Sequence, residues 1–374
     1  MRILVNAVVL TNILTGIGRT VKSLYTELEK YSDLDIWYFD GHNISKKMPS
    51  PPEKNSRWDK LVSIAWKMPP HLIFLIRKYR HKKQQKLFYE FSKDFDVYHE
   101  PGFFPFKTPE SVKTVFTVHD LSLSSHPEWH PEERVKFFNH YAGEAFKYAD
   151  FIVTPSEFSK LEVLKYFEFD NRKIRSVYWG YDREVFYPRS KDEITKVCDK
   201  YKIKGDYLLC VGTNDPRKNL KGVFEAYKNL DSEISLVIAG WSGWDKTNGV
   251  DSQNKIIFTG HLSDEELTAL YSGAAALVYP SFYEGFGLPA LEAMACGTPV
   301  ITSDCSSLPE VGGDAVQYCN PNDIKSIQRA IEKVIKDPSL QEDLRKKGLA
   351  RAKEFSWEKS AEEYLEVFEI VGFG

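Results

Sequence analysis

The sequence predicts an α/β protein made of two doubly wound, Rossmann-like domains. Three observations predict it. Short β-branched and aromatic runs alternate with stretches of helical period along most of the chain, the alternation starts afresh near residue 207, and glycine-rich turns stand where a strand gives way to a helix. Strands joined by single helical crossovers pair in parallel and need helices on both faces. Two such runs, each long enough for its own sheet, fit a chain of 374 residues.

The opening run, 2–9, reads as the first strand. Asn6 interrupts its apolar stretch and no small-residue cleavage site follows, which sets it apart from a signal peptide. A helix over 17–31 comes next. Strands are then expected at 35–40, 96–99, 114–119, 151–155 and 174–179, with helices at 131–148 and 156–167. The polar stretch 181–205 has no strand signal and marks the join. Beyond it, strands are expected at 207–212, 235–240, 255–260, 276–281, 299–303 and 315–319, followed by helices over 339–355 and 357–371. These elements give an N-terminal domain over 1–183, a C-terminal domain over 184–355 and a last helix over 356–374.

Composition narrows the class. Hydrophobic residues are 42% and charged residues 28%, values of a globular chain, and no apolar run approaches the ~20 residues of a membrane span. Five cysteines without a C-x-x-C pair argue against a disulfide framework or a zinc site and favour a reducing cytoplasm. Charge is divided unequally: 1–180 carries 27 Lys and Arg against 22 acids, and the remainder 23 against 31. Two halves of opposite sign suggest two ligands. Within the first half, 58–91 sets an apolar block beside Arg77, Lys78, Arg80, Lys82, Lys83 and Lys86. Such a segment suits a peripheral contact with an anionic membrane, or a helix that packs one face and solvates its charges.

Three motifs carry chemistry. In TGIGRT, Thr15 to Thr20, Gly16 and Gly18 let the main chain approach a ligand at a helix N-terminus. Val21 stands where a dinucleotide fingerprint needs its last glycine, which disfavours NAD(P). In VGTNDPRKN, Arg217 and Lys218 follow a strand at the end where open α/β sheets bind ligands, and two adjacent cations there suit a diphosphate. In YPSFYEGFGLPALEAMACGTPVI, a Gly-rich turn leads into a helix, with Glu284 before it and Glu292 about one turn inside. The helix N-terminus favours phosphate, while carboxylates suit hydroxyls. A phosphate flanked by two polyols, as in a nucleotide sugar, meets both demands.

These segments resemble the family 4 retaining glycosyltransferases of GT-B fold. Glu284-x7-Glu292 within EGFGLPALEAMACGTPVI is similar to the family signature. TGIGRT, VHD at Val118 to Asp120, VTPSEFSK, DPRKN, FTGHLSDEEL and FSWEKSAEEYLEVF follow in the family's order over essentially the whole chain. The stretch HDLSLSSHPEWHPEERVKFF resembles the mannosyltransferase-like branch of surface-polysaccharide assembly. The resemblance implies two domains facing a cleft, with the last helix crossing back to the first domain. It implies that Glu292 binds ribose hydroxyls and Glu284 those of the transferred sugar, and that main-chain N–H groups of Phe286, Gly287 and Leu288 meet sugar or phosphate. It further implies that Lys218 with Arg217 neutralises the diphosphate, Gly16 and Gly18 close over it, His119 sits by the donor sugar, and the segment at His261 and Leu262 holds the base. Thr213 departs from the family, many of whose members have Arg there.

The expected activity is transfer of a hexose, mannose first, from a nucleotide diphosphate sugar to a saccharide or lipid-linked saccharide. GDP-mannose is the first-guess donor. Cations and a helix N-terminus can stabilise the leaving diphosphate without a metal. The triplets Asp33-Leu34-Asp35 and Asp94-Phe95-Asp96 begin strands and are read as turn chemistry, so no metal or cofactor is expected. Nucleic acid is not an expected partner. The expected location is cytoplasmic, with peripheral contact at the inner membrane face through 58–91. An epimerase or hydrolase on the same scaffold, a non-catalytic nucleotide-sugar-binding subunit, and an NAD(P) oxidoreductase are the alternatives.

Overall fold

The computed structural model describes residues 1–11, 16–50, 70–102, 104–213, 215–240 and 256–373. The chain divides into two compact units, Met1–Trp179 with Trp357–Gly374, and Gly180–Ser356. Among the described residues the first holds seven strands: β1 (Arg2–Asn6), β2 (Asp35–Phe39), β3 (Ile44–Ser45), β4 (Val97–Glu100), β5 (Lys113–Thr117), β6 (Phe151–Thr154) and β7 (Ile174–Ser176). Their order is β3-β2-β1-β4-β5-β6-β7, parallel except for β3, which runs antiparallel to β2. Ile3, Leu4 and Val5 are wholly buried, as a parallel sheet covered on both faces requires.

The second unit holds β8 (Tyr207–Val211), β9 (Ser235–Ala239), β10 (Ile256–Gly260), β11 (Ala276–Tyr279), β12 (Val300–Ser303) and β13 (Gln317–Cys319). These six strands, the ones among the described residues, are all parallel in the order β10-β9-β8-β11-β12-β13. That is the doubly wound order 3-2-1-4-5-6. Strand order reverses between β8 and β11 here, and between β1 and β4 in the first unit. Crossovers leave in opposite directions at such a point, which opens a crevice at the strands' carboxyl ends.

Several expectations are adjusted. The edge strand β3 is absent from the sequence reading because two residues hold no pattern. It forms because Asp40 accepts from the N–H groups of His42 and Asn43, each at 2.8 Å, and turns the chain back through Gly41 at φ +100°. The polar join contains a helix, Lys191–Tyr201, started by a reciprocal cap between Ser190 and Glu193. The first helix is Gly16–Leu28 rather than 17–31, and the last strand begins at Gln317. The helix expected within 58–91 spans Pro70–Ser92, and 58–69 lie outside the described residues, as do Thr15 and Lys255.

The terminal helix Trp357–Phe373 completes the first unit. Its Tyr364 hydroxyl lies 2.9 Å from Thr117 Oγ1 on β5, and Ser360 Oγ donates to the Tyr178 carbonyl at 2.7 Å. Tyr364 and Phe368 also pack on the ring of His99, at 5.4 and 5.5 Å between centroids. His99 is wholly buried, with Nδ1 2.5 Å from Tyr25 Oη and Nε2 2.8 Å from Thr117 Oγ1. Burial, with the nearby His119, lowers its pKa to about 3. Burial and His140 lower that of His81 to about 4.

Both rings are therefore neutral in the folded chain at pH values where an unfolded histidine, of pKa about 6.5, takes up a proton. The unfolded state binds more protons across that interval, so stability is full above pH ~6.5 and falls as pH drops towards the folded values. Thermal melts between pH 7 and pH 5 should show the midpoint falling, with at most about 1.4 kcal/mol lost per pH unit per histidine. His81→Phe should flatten the decline; an unchanged slope would remove His81 from this account.

Candidate functional site

The second unit builds its site from the two loops that flank the strand reversal. After β8 the chain turns at Gly212, φ +141°, whose N–H donates to the Ala239 carbonyl at 2.9 Å. A 3-10 turn, Pro216–Lys218, follows. Asp215 caps it, accepting from the Arg217 N–H at 3.1 Å and from Arg217 Nε at 2.9 Å. Asn219 then adopts a left-handed conformation and caps the Leu220–Lys228 helix through the Gly222 N–H. Its amide Nδ2 donates to the carbonyls of Pro280, at 3.2 Å, and Pro321, at 2.9 Å. The Phe282 N–H donates to the Arg217 carbonyl at 2.8 Å. Main chain and amide thus stitch the loop after β8 to the loop after β11.

A charged cluster lies on this seam. Lys218 Nζ donates to Glu284 Oε1 at 2.6 Å, and the Tyr279 hydroxyl, at the end of β11, donates to the same oxygen at 2.6 Å. Lys218 Nζ also reaches the Tyr279 hydroxyl and lies 4.8 Å from the ring centroid. The Lys218 and Glu284 side chains are only 15% and 8% exposed. Burial works to raise the Glu284 pKa, but the Lys218 and Arg217 cations and the hydrogen bonds from Lys218 and Tyr279 outweigh it and hold the carboxyl below its ordinary value. Burial and Glu284 push the Tyr279 phenol far up, so it stays a donor.

The turn after Glu284 is held from β12's side. Its N–H donates to Ser306 Oγ at 3.2 Å, and Ser307 Oγ donates to the carbonyls of Glu284 and Phe286 at 2.9 and 2.8 Å. Gly287 caps the Leu288–Ala295 helix at φ +108°, and a Cβ there would stand 2.7 Å from Leu308 Cδ2. Backbone and space both exclude a side chain at that position. Glu292 is half-buried in the helix and accepts from the Tyr271 hydroxyl at 3.2 Å. The Phe286 ring is buried, 5.9 Å from that of Phe355, and its carbonyl accepts from Ser307 Oγ. Leu262 is buried just after β10, immediately before Ser263, the cap of the Asp264–Gly273 helix.

The first unit positions His119 in a comparable way. At its own strand reversal, Glu100 on β4 accepts from Asn6 Nδ2 on β1 and from the Tyr98 hydroxyl, each at 2.6 Å, and from the Gly102 N–H at 2.8 Å. This clamp fixes the turn whose Pro101 carbonyl accepts from His119 Nε2 at 2.6 Å. Nδ1 of His119 is shut off from solvent and has no hydrogen-bond partner. Burial lowers the pKa of the ring, so it is neutral near pH 7. With the proton on Nε2, Nδ1 can only accept. The ring lies 5.3 Å from that of Trp179. Gly16 opens its helix in an exposed position, where a Cβ would meet nothing within 4 Å, and Gly18 is buried.

Arg217, Lys218, Leu262, Glu284, Phe286, Gly287, Leu288 and Glu292 therefore belong to one unit, and Gly16, Gly18 and His119 to the other. Arg217, expected to fork across a diphosphate, has its Nε held by Asp215. The Asp-x-Asp triplets sit at the opposite, amino ends of strands, where Asp35 pairs with Lys46 at 2.6 Å and Asp96 accepts from the Arg2 N–H at 2.7 Å. Among the described residues, no group of acids, histidines and cysteines has the arrangement of a metal site. Sequence reasoning gave Asn219 only the cap it makes here, and gave no role to Tyr279 or the Asn6–Glu100 pair. Only Tyr279 carried a signal, as the last residue of the strand before the glycine-rich turn.

Two family models match the chain, Glycosyltransferase Family 4 over 14–185 and Glycosyl transferases group 1 over 194–351. O-antigen chain mannosyltransferase B of Escherichia coli is 34% identical over 377 aligned residues, 96% of this chain and 97% of that protein. The serotype-specific mannosyltransferase WbdA of Escherichia coli is 32% identical over 68% of this chain, a stretch that makes up 33% of WbdA. Among solved structures, sucrose-phosphate synthase from Thermosynechococcus elongatus shares the fold at a TM-score of 0.72 and 19% identity, over 99% of this chain and 98% of its own.

Removing one partner of a buried ion pair strands the other charge, at a cost of about 3–5 kcal/mol. Lys218→Met should therefore destabilise the second unit by up to that amount in urea melts at pH 7, and the added change Glu284→Gln should recover much of it. A Lys218→Met protein as stable as wild type would mean that the pair carries no such weight.

Proposed function

The chain belongs to glycosyltransferase family 4, and from that premise we propose that it transfers mannose from GDP-mannose to a saccharide or lipid-linked saccharide in polysaccharide assembly, retaining the anomeric configuration. The relatives named for mannosyl transfer support the sugar. The observation that carries the site is the buried Lys218–Glu284–Tyr279 cluster between the loops at the strand reversal. It presents a fixed cation and a carboxylate in the crevice where this fold class takes its ligands.

In this reading Lys218, aided by Arg217 and by the amino end of the Leu288–Ala295 helix, takes the negative charge that grows on the diphosphate as the sugar leaves. Donors already in place need no reorganisation in the transition state. Both donors to Glu284 go to Oε1, so Oε2 receives the sugar hydroxyls, and Glu292 receives those of the ribose. The main chain of Phe286, Gly287 and Leu288 contacts sugar or phosphate, and the segment at Leu262 holds the base. Within the first unit, the Gly16–Gly18 turn offers main-chain N–H groups to an anion. Neutral His119 acts as a positioning residue rather than a proton donor, and the departing phosphate oxygen takes the proton of the attacking hydroxyl. Charge neutralisation by these groups makes a divalent cation unnecessary. A cytoplasmic protein touching the inner membrane face through 58–91 would meet a lipid-linked acceptor there. No described helix is long and apolar enough to cross a membrane.

Thermal melts of wild type and Glu292→Ala against a panel of nucleotides and nucleotide sugars test the donor. Saturation at a hundredfold over Kd adds about 2.7 kcal/mol. GDP-mannose should raise the midpoint of wild type, and the Glu292→Ala protein should lose that shift. Mannosyl transfer should then proceed undiminished in EDTA. Absence of any shift across the panel would sink the reading, and a shift with another nucleotide alone would replace the donor.

A further inference from the structure

The hydroxyls of β12 and of the loop after it take up main-chain groups of β11 and of the glycine-rich turn, one after another. Thr302 Oγ1 donates to the Tyr279 carbonyl at 3.0 Å, and Ser303 Oγ to that of Ser281 at 2.5 Å. Ser306 Oγ accepts from the Glu284 N–H, and Ser307 Oγ lies 2.9 and 2.8 Å from the carbonyls of Glu284 and Phe286. Thr302, Ser303 and Ser307 are wholly buried. Leu308, the next residue, lies so close to Gly287 that a Cβ there would overlap it. Ser306 holds a left-handed conformation, φ +56°, which glycine adopts at less cost. A side chain is kept in such a conformation where the surrounding contacts use it.

Ser307 sets a direction as well as satisfying two acceptors. A trans peptide is planar, with its C=O and N–H on opposite sides. The Phe286 carbonyl faces Ser307, so the Gly287 N–H of the same peptide faces away from it. The Glu284 carbonyl is held likewise, and with it the peptide shared with Gly285. A hydroxyl has one proton, so both peptides answer to a single group. The helix that follows leaves few donors at its start. Pro289 has none, and the N–H groups of Ala290 and Leu291 return to the Gly287 carbonyl. Among the described residues, the Gly287 and Leu288 N–H groups have no acceptor.

We propose that Ser307 is a positioning residue for the donor: its hydroxyl, between the Glu284 and Phe286 carbonyls, aims the Gly287 N–H, beside that of Leu288, at an oxygen of the diphosphate. The inference rests on the nucleotide-sugar reading above and names the side chain that sets its turn. Ser307 touches no reacting atom. Without its hydroxyl two buried carbonyls lose their partner, and the peptide that carries the Gly287 N–H loses what fixes its tilt. A hydrogen bond to a charged oxygen is worth more than one to a neutral group, so a misdirected N–H weakens the hold on phosphate first. A nucleoside, which has base and ribose but no phosphate, never meets this donor.

The test is calorimetry of the full chain with GDP and with millimolar guanosine, or with the diphosphate and nucleoside of whichever base the donor panel selects. In Ser307→Ala the Kd for GDP should rise about tenfold, while that for guanosine keeps its wild-type value. Ser307→Cys has nearly the same shape and a weaker donor, so it should lose less GDP affinity and again none for guanosine. Urea melts without ligand show whether each variant is folded, and if Ser307→Ala is not, Ser307→Cys decides. Turnover gives a second readout: kcat for mannosyl transfer should fall in the variants, and KM for the saccharide acceptor should not move. Wild-type GDP affinity in a folded variant, or an equal loss for GDP and guanosine, overturns the proposal and leaves the nucleotide-sugar reading standing, because Ser307 would then only pack the turn. Wild type that binds neither ligand removes that reading and the proposal with it.

Discussion

The second unit is organised by the need to keep a buried carboxylate ionised. Glu284 lies in a position that water scarcely reaches, and it stays charged because Lys218 and Tyr279 both donate to one of its oxygens. Lys218 comes from the loop after β8 and Glu284 from the loop after β11, so the bond spans the place where strand order reverses. Neither loop can move alone without stranding a charge. The smaller bonds nearby, Asn219 to Pro280 and Phe282 to Arg217, run across the same seam. The parallel sheet opens the crevice, and the ion pair gives it a fixed electrostatic floor.

The first unit also places a buried acid at its strand reversal. Glu100 takes hydrogen bonds from Asn6, Tyr98 and the Gly102 main chain where β1 and β4 diverge. The clamp's effect is passed on through Pro101 to the ring of His119. Each unit thus uses a buried carboxylate at its strand reversal, one to hold a cation and one to shape a turn.

What was legible in the sequence follows from range. Strands β1, β8 and β11 were visible because β-branched runs end in recognisable turns, and Lys218 and Glu284 were visible because each sits in a compact motif. The link between them was not, since 66 residues separate them. The Asn6–Glu100 contact, across 94 residues, was equally hidden, and an asparagine closing a first strand gives no hint of its partner. Tyr279 looked like any aromatic at a strand end. Strand β3 was too short for a pattern and owes its existence to the turn at Asp40. The Lys191–Tyr201 helix had a local signature, Ser190-x-x-Glu193, in a segment read for strands. The Pro70–Ser92 helix was expected within 58–91, and apolar residues on its opposing sides blur the single-face periodicity that would have fixed its bounds.

The first unit is made from both ends of the chain, with Trp357–Phe373 laid against strands formed more than two hundred residues earlier. This has a consequence for how the protein is made. Its sheet is synthesised first, yet the helix that covers His99 emerges last. At about 5–20 residues per second, close to two hundred residues take roughly ten to forty seconds to follow Trp179. The second unit, continuous in the chain, can fold within that interval, while the first waits with part of its apolar surface uncovered. The unit begun first is the last to be completed, and its surface near β4 and β5 is where a nascent chain would most need a chaperone.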